Sequence, residues 1–460
     1  MTLALVPRPD EKLTPMERLE VLCDPGSIDL LRTEVLSRHM GEKARPGDGV
    51  LGASGRVDGR VVAVLELAER SRVPVIGFVE SAGARMQEGL AALSGYAKIF
   101  HKHVALSGFV PQISVICGPS AGGGSYAPAL TDFVIMTEKA SMFLTGPGVV
   151  AKVMGETVDM AELGGPRVHE RNGVCHLVAE TDVDAALLAR DLLDFLPQNC
   201  EERPLRWPTV DPPGNAPDSV VPAEDRKVYD VRDVARALLD GGRMLEISPR
   251  WARNVVCAFG RMDGRSIGLV ANQPRYLGGV LDVDASQKAA RFVRTCNLFG
   301  IPLLVLVDTP GFLPGTKQEK LGVIRQGAKL VYAFSECTVP RVTVILRKAF
   351  GGAFIAMNSK DLGADFVFAW PSAQLGVMGA PQAVEIINRR EIEAAEDPVG
   401  ARDALASSYA AEHLHPGAAT ADGYVDDVIA PSETRARVAA ALAALDSAAL
   451  RRWPAGNIPL

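Results

Sequence analysis

Short apolar runs rich in β-branched residues alternate along this chain with segments in which apolar residues recur at helical spacing. The runs are typical of buried parallel strands and lie at 61–67, 73–79, 112–117, 255–259, 266–271, 303–307 and 341–346. Helical spacing predicts helices at about 15–23, 89–105, 184–196, 231–239, 286–299, 321–334 and 433–450. This alternation predicts parallel sheets whose strands are joined by crossover connections.

The first helix has a recognisable start. Thr14 is suited to the N-cap, Pro15 to the first turn, and Glu17 to the position that closes a capping box. Asp24-Pro25-Gly26 is expected to end this helix.

Two stretches more than two hundred residues apart carry the same spacing of proline and glycine. The distance from Pro111 to Gly122 is 11 positions, and so is the distance from Pro340 to Gly351. The distance from Asp132 to Gly146 is 14 positions, and so is the distance from Asp365 to Gly379. A period this long is unsuited to a solenoid, so we expect one α/β fold used twice in tandem.

A proline-rich segment separates the two copies. Its prolines are Pro197, Pro204, Pro208, Pro212, Pro213, Pro217 and Pro222. Such sequence packs neither as a helix nor as a sheet. We therefore expect an N-terminal domain at 1–200, a semi-rigid linker at 201–225 and a C-terminal domain at 226–460.

Composition excludes several classes of protein. Of the 460 residues, 47% are apolar and 23% charged, which is typical of a globular protein, and the net charge of −6 provides no general attraction to nucleic acid. The seven cysteines form no C-x-x-C pair, which argues against a zinc ribbon or a disulfide framework. With no evident signal peptide and no run of eighteen apolar residues, we expect a cytoplasmic protein without a membrane span.

Each copy contains a cluster of small residues between a predicted strand and a predicted helix, at Gly122–Gly124 and at Gly351–Ala353. Without bulky side chains the backbone can approach a ligand closely, and N–H groups at a helix start can stabilise an oxyanion. Tight packing of strand against helix is the alternative for a single cluster. Two clusters at matched positions favour the ligand site, although neither fits a nucleotide-binding motif.

The loops one crossover earlier also match, at 80–89 and 308–315, and both follow a strand's carboxyl end, where open parallel sheets bind ligands. We interpret Arg85 and Glu88 as a buried ion pair that holds the loop, and Asp308 as a cap rather than a general base. The histidines lack metal-ligand spacing, and we expect no metal. The missing acid–base pair favours a reaction whose base belongs to the substrate or cofactor.

These features resemble the carboxyltransferase (β) subunit of biotin-dependent acyl-CoA carboxylases, the propionyl-CoA carboxylase type. The matching blocks lie in family order over nearly the whole chain, at 47–50 (GDGV), 83–89 (GARMQEG), 143–147 (FLTGP), 162–165 (ELGG), 271–274 (ANQP), 308–315 (DTPGFLPG), 348–354 (KAFGGAF), 369–371 (AWP) and 456–460 (GNIPL). The resemblance implies two tandem crotonase-like ββα-superhelix domains, the first for acyl-CoA and the second for carboxybiotin.

The resemblance also implies roles, cofactors and partners. It places one catalytic amide pair on Gly122 and Gly123, and the other on Gly352 and Ala353. The remaining substrate-binding positions are Ala82, Gly83, Ala84, Arg85, Gly146, Pro147, Gly311, Phe312, Phe354 and Ile355. Biotin is implied on a separate biotin carboxylase and carrier (α) chain, since this sequence has no Met-Lys-Met attachment motif. A homohexamer is implied, with active sites between the N-domain of one subunit and the C-domain of another.

Ile355 matches a position at which family members tune their preference for the acyl chain. An apolar residue there implies tolerance of acetyl, propionyl and somewhat longer chains.

One departure from the family is large. Between Val61 and Val73 roughly two dozen residues are absent, more than the trimming of an ordinary loop allows. Either a segment is missing from this sequence, or the protein lacks part of its acyl-CoA site. We favour the first explanation, because the crossover that remains is too short for a full helix.

Three functions therefore stay open. The first is carboxyl transfer from carboxybiotin to the α-carbon of a short acyl-CoA such as propionyl-CoA or acetyl-CoA. The second is the reverse reaction, in a biotin-dependent decarboxylase subunit of the methylmalonyl-CoA type. The third, motivated by the shortened segment, is a non-catalytic assembly partner.

Overall fold

The two halves of the chain form similar α/β units in the computed structural model, which describes residues 12–214, 217–222, 224, 227–446 and 456–458. The strands of the N-terminal half are β1 (Asp29–Leu31), β2 (Gly52–Val57), β3 (Arg60–Val62), β4 (Val75–Ser81), β5 (Gln112–Ala121), β6 (Phe133–Thr137), β7 (Ser141–Phe143) and β8 (Leu177–Ala179). Its helices are α1 (Pro15–Leu22), α2 (Leu65–Ser71), α3 (Leu90–Leu106), α4 (Gly123–Ala129), α5 (Pro147–Met154), α6 (Met160–Gly164), α7 (Pro166–Asn172) and α8 (Asp182–Phe195).

The C-terminal half repeats this order. Its strands are β9 (Met244–Ile247), β10 (Val255–Met262), β11 (Arg265–Asn272), β12 (Leu303–Thr309), β13 (Arg341–Phe350), β14 (Phe366–Ala369), β15 (Gln374–Gly376) and β16 (Asp427–Val428). Its helices are α9 (Val231–Leu238), α10 (Val283–Leu298), α11 (Thr316–Leu321), α12 (Val323–Glu336), α13 (Gly351–Ala356), α14 (Ala380–Ile387), α15 (Arg389–Ala394), α16 (Pro398–Tyr409), α17 (Pro416–Ala421) and α18 (Thr434–Ala444).

The strand order confirms the internal repeat. The C-terminal sheet has eight strands in the order β16-β14-β13-β12-β11-β10-β9, with β15 beside β13. The N-terminal half shows the equivalent order, β8-β6-β5-β4 with β7 beside β5, followed by a separate sheet β3-β2-β1. Pairing is parallel from β11 to β16 and from β4 to β8, and antiparallel in β9-β10-β11 and β1-β2-β3. The predicted parallel crossovers are thus confirmed, and the antiparallel hairpins were missed.

The split of the N-terminal sheet follows from the short segment after Val61. The predicted strand at 61–67 is wrong, because β3 ends at Val62 and α2 begins at Leu65. Strand β3 has three residues and α2 seven, against eight in β11 and sixteen in α10. The chain therefore closes this crossover with a two-turn helix, and within its described part no strand pairs with the outer edge of β4.

The two halves share one hydrophobic core. Phe259 of β10 stacks on Phe195 of α8 and meets Phe133 of β6 edge-on, each at a ring-centroid distance of 5.9 Å. Arg291 of α10 reaches into the other half and donates to the carbonyl oxygens of Thr131 and Asp132, both at 2.9 Å. These buried contacts hold the halves together as one packed body.

Between α8 and α9 the described residues contain one turn of 3₁₀-helix, Pro217–Ser219, in line with the expected linker. The limits predicted for the two domains stay predictions. Residues 447–450 of the last predicted helix lie outside the described residues, and α18 covers the earlier part.

The open edge of β4 predicts a difference in backbone protection between the halves. The N–H of Val75 donates to the carbonyl of Pro111, the residue before β5, so the N–H groups of Ile76 and Phe78 point at the open edge. Their equivalents Leu304 and Leu306 face β11. We expect the amides of Ile76 and Phe78 to exchange at least about tenfold faster in hydrogen–deuterium exchange. Equal protection in both halves would show that another segment covers β4.

Candidate active site

A tight strand–turn–helix junction carries the small residues of the N-terminal half. Strand β5 ends at Ala121, Gly122 forms the turn with φ +58°, and α4 begins at Gly123. A positive φ of this size favours glycine at the turn. The N–H of Gly122 donates to the carbonyl of Phe143 at 3.0 Å. The N–H groups of Gly123 and Gly124 lie in the first turn of α4, where they have no partner within the helix.

The C-terminal half repeats this junction. Gly351 has φ +60°, follows β13 and opens α13. The next two residues are Gly352, which is exposed, and Ala353, which is buried. Their N–H groups occupy the same first-turn position. The positive end of the dipole of α13, a helix of six residues, lies at these N–H groups.

Aligning the two junctions by their turn glycines points to a different N-terminal pair from the predicted one, and the catalytic role of either pair stays a prediction. Gly122 corresponds to Gly351, so Gly123 and Gly124 correspond to Gly352 and Ala353. The sequence had assigned Gly122 and Gly123, one position earlier than the pair in the other half. Because the N–H of Gly122 is already bonded to Phe143, this residue serves as the turn and not as a free donor.

The preceding loops are held alike in both halves. Ser81 Oγ accepts the N–H of Gly83 at 3.2 Å, and Thr309 Oγ1 accepts the N–H of Gly311 at 3.4 Å. In each loop the glycine has a positive φ. The residue after it is Ala84 in the N-terminal half and Phe312 in the C-terminal half. Ala82 and Ala84 are exposed, so ligands can reach this loop.

Arg85 fixes the far end of the N-terminal loop. Its guanidinium donates to Asp48 Oδ1 at 2.6 Å and to Glu88 Oε1 at 3.2 Å, while Ser37 Oγ donates to the same Glu88 oxygen at 2.6 Å. The predicted ion pair is present, but it is not buried, because 38% of the Arg85 side chain is exposed. Arg85 thus positions the loop and still presents part of its side chain to solvent.

Asp308 does not act as the expected cap but has a different structural role. It is buried, pairs with Arg347 at 3.1 Å, and accepts hydrogen bonds from Tyr229 Oη at 2.9 Å and from the N–H of Lys348 at 3.2 Å. Burial raises the pKa of its carboxyl, and Arg347 opposes this shift. All three partners hold Asp308 in place below the loop, so it anchors the loop.

The other predicted residues surround the junctions. Gly146 caps α5 and Pro147 opens it, as Gly379 caps α14 in the other half. Phe354 and Ile355 lie on α13, and Ile355 is 51% exposed. The position that corresponds to Ile355 in the N-terminal half is Tyr126, with a similar exposure of 52%.

Sequence reasoning missed an aromatic side chain at the N-terminal junction. A Cβ atom placed on Gly123 would lie 2.5 Å from Cγ of Tyr96 on α3, so the ring rests directly on the glycine. The Tyr96 hydroxyl lies 3.1 Å from Ser81 Oγ. Phe100 continues the aromatic surface, with its ring centroid 6.1 Å from that of Tyr96. The ring centroid of Tyr126 lies 6.2 Å from that of Phe100. The sequence signal was limited to two aromatic residues, Tyr96 and Phe100, within a predicted helix.

Two other features of the described ranges bear on function. None of their groups of histidine, cysteine, aspartate and glutamate is arranged to hold a metal ion. None of their helices combines the length and the apolar character needed to cross a membrane.

Comparison with known proteins agrees with this geometry. Residues 62–457 match the family described as Carboxyl transferase domain. The chain is 48% identical to the methylmalonyl-CoA carboxyltransferase 12S subunit of Propionibacterium freudenreichii subsp. shermanii, over 94% of this chain and 88% of that one. It is 46% identical to the propionyl-CoA carboxylase carboxyltransferase subunit of Haloferax mediterranei, over 98% and 94%.

A solved structure shows the same fold. The transcarboxylase 12S, described as a hexamer with methylmalonyl-coenzyme A and methylmalonic acid bound, superposes with a TM-score of 0.92 at 45% identity, over 98% of this chain and 92% of that one. The duplicated sheets and amide junctions therefore define a tandem crotonase-like protein, as expected. More closely, this chain belongs to the carboxyl transferase family. It is a carboxyltransferase of the biotin-dependent acyl-CoA carboxylases, which move a carboxyl group between an acyl-CoA and biotin.

The contact between Tyr96 and Gly123 predicts a stability difference between the two junctions. Gly123→Ala places a methyl group against the ring and should destabilise the fold by about 1–3 kcal/mol, measured by thermal unfolding. In Gly352→Ala the new Cβ would meet Phe312 at 3.9 Å, an ordinary contact, and the melting temperature should hardly change. Equal melting temperatures for both variants would mean that the ring does not rest on Gly123.

Proposed function

We propose that this chain transfers the carboxyl group of carboxybiotin, held on a separate carrier chain, to the α-carbon of a short-chain acyl-CoA such as propionyl-CoA or acetyl-CoA. One observation supports this most directly. Each half presents a pair of first-turn amides beside a loop at the carboxyl edge of a parallel sheet. Two substrates whose carbonyl oxygens become negatively charged need two such sites.

In the N-terminal half, the proposed donors are the N–H groups of Gly123 and Gly124. They would bind the thioester oxygen of the acyl-CoA, on which negative charge develops when the α-proton leaves. Fixed amides at a helix start stabilise such charge without reorganising during the reaction. The loop at 82–85 borders this junction and would contact the thioester and the coenzyme, and α5, which begins at Pro147, would contact the coenzyme.

In the C-terminal half, the proposed donors are the N–H groups of Gly352 and Ala353. The residues present fit a biotin ureido oxygen, because Gly352 is exposed and the ring of Phe312 lies beside it as an apolar wall. Gly311 and Phe354 would complete the contacts. When bound, biotin supplies the carboxyl group and then the base, in keeping with sequence motifs that include no evident acid–base pair. This chain's residues orient the group and stabilise its oxygen.

The proposed assembly is a homohexamer served by a biotin carboxylase and carrier (α) chain. Large apolar side chains on segments flanking the two junctions are exposed, namely Met86, Leu90, Val153, Met154, Ile324, Val377, Ile386 and Ile387. Exposed apolar side chains of this size are typical of interaction surfaces. Their position supports a site shared between the N-terminal half of one subunit and the C-terminal half of another, and the relative of known structure is described as a hexamer.

The direction of transfer is a separate part of the proposal. The two relatives reported above are named for methylmalonyl-CoA and for propionyl-CoA, the carboxylated and uncarboxylated ends of one reaction. We propose carboxylation of the acyl-CoA as the direction. Co-purification with a biotin carboxylase chain would support it, whereas a membrane partner would favour the decarboxylase.

The decisive experiment uses the purified chain with biotinylated carrier partners and labelled bicarbonate. Gly352→Val should lower carboxyl transfer by about two to three powers of ten, because its side chain would crowd the oxygen site. Size-exclusion chromatography should show an unchanged oligomer. The matched control is Ser408→Val on α16, an exposed position in the same half.

Near-normal turnover of Gly352→Val would contradict the assigned amide pair. Lack of transfer by the wild type with every carrier, together with an intact oligomer, would instead favour the non-catalytic assembly partner.

Ile355 tests the preference for the acyl chain. Ile355→Asp places a carboxylate where an apolar chain would lie, so kcat/KM for butyryl-CoA should fall at least about tenfold more than that for acetyl-CoA. Turnover of acetyl-, propionyl- and butyryl-CoA gives the ranking, with Ile355→Leu as the apolar control. An unchanged ranking would remove Ile355 from the acyl pocket.

A further inference from the structure

Tyr96 joins three parts of the N-terminal site. Its ring lies on Gly123, next to the proposed donor amides. Its hydroxyl lies 3.1 Å from Ser81 Oγ, and the same Ser81 oxygen accepts the N–H of Gly83 at 3.2 Å. One side chain therefore links helix α3, the amide junction and the loop at 82–85.

The C-terminal half has a ring in the equivalent place, but it comes from a different position in the chain. Phe312 lies 3.9 Å from a Cβ placed on Gly352, and 3.2 Å from a Cβ placed on Gly327 of α12. The ring therefore fills the space between the amide junction and this helix. In the C-terminal half the loop supplies the aromatic residue and the helix supplies the glycine.

The sequence shows that these two positions have exchanged character. Tyr96-Ala97-Lys98 on α3 matches Gly327-Ala328-Lys329 on α12, so the tyrosine corresponds to the glycine. In the loops, Phe312 corresponds to Ala84, each one residue after the glycine with positive φ. In each half one position is aromatic and the other small. The ring is thus retained over the amides although its origin differs.

This exchange has a consequence for ligand access. In the N-terminal half the ring stands on a helix of 17 residues, and the loop position beside the amides is a small, exposed alanine. A thioester can then approach over Ala84 while the ring covers the amides from the other side. The aromatic surface continues from Tyr96 through Phe100 to Tyr126, which gives a short acyl group an apolar wall.

We infer that Tyr96 is a positioning residue for the acyl thioester, and that its ring does for the acyl site what Phe312 does for the second site. The inference rests on the proposed function. The ring limits where the thioester oxygen can sit relative to the amides of Gly123 and Gly124. Misplacement of reacting groups by about 1 Å can cost about two powers of ten in rate.

The experiment moves the ring from the helix to the loop. Tyr96→Gly should lower kcat for propionyl-CoA by about two powers of ten with a smaller change in KM, since orientation is lost and not binding as a whole. The double variant Ala84→Phe/Tyr96→Gly reproduces the C-terminal arrangement and should recover at least about tenfold of that loss. Tyr96→Phe keeps the ring and should retain at least about a tenth of wild-type kcat.

Thermal unfolding and size-exclusion chromatography of each variant separate positioning from stability. A control at the other end of the same helix, Val104→Ala, should leave kcat unchanged, because Val104 is exposed and far along α3 from the junction. If Tyr96→Gly keeps wild-type kcat, or if the double variant is folded and recovers nothing, the inference is wrong while the proposed function stands. Absence of transfer by the wild type itself would overturn both.

Discussion

The proposed chemistry depends on one constraint, which is that main-chain N–H groups at the start of a helix must stay accessible at the end of a sheet. A bulky side chain at these positions would cover the amides, and both halves have glycine or alanine there. The turn that leads into each helix needs a positive φ, which Gly122 and Gly351 adopt at almost the same angle. Everything around the junctions, from the loop glycines to the covering rings, serves to shape the space in front of these amides.

In both halves a paired carboxylate precedes the loop, and it is buried in the C-terminal half but exposed in the N-terminal half. In the C-terminal half Asp308 of β12 is enclosed by Arg347 and Tyr229. The matching residue in the N-terminal half, Glu80 of β4, pairs with Lys12 and lies 3.5 Å from Arg18 of α1. Each carboxylate is the second-last residue of the strand that leads into the loop, and each contacts one residue near the start of its half, Arg18 or Tyr229. Breaking the buried pair of Asp308 and Arg347 is costly, because the remaining charge is left without its charged partner.

The two halves differ most where the chain is short. With β3 reduced to three residues and α2 to seven, eight strands that form one sheet in the C-terminal half form two sheets in the N-terminal half. A single backbone bond, from the N–H of Ala63 to Pro74, remains where the other half has a full ladder. The amide junction is nevertheless formed, at the carboxyl end of β5 and in contact with Ser81 of β4. The missing segment between Val61 and Val73 stays a prediction.

Local pattern was enough to predict much of this protein. Thr14 and Glu17 form the predicted capping box, six of the seven predicted strands are present, and the matched proline and glycine spacing correctly indicated a duplicated fold. The strand at 61–67 failed because an apolar run cannot by itself distinguish a strand from a short helix. Only tertiary structure decided that Gly122 bonds to Phe143, that Asp308 is an anchor, and that Tyr96 covers Gly123. These depend on contacts between residues distant in sequence, and spacing along the chain carries no information about which hydrogen bonds are already made or which ring reaches a given glycine.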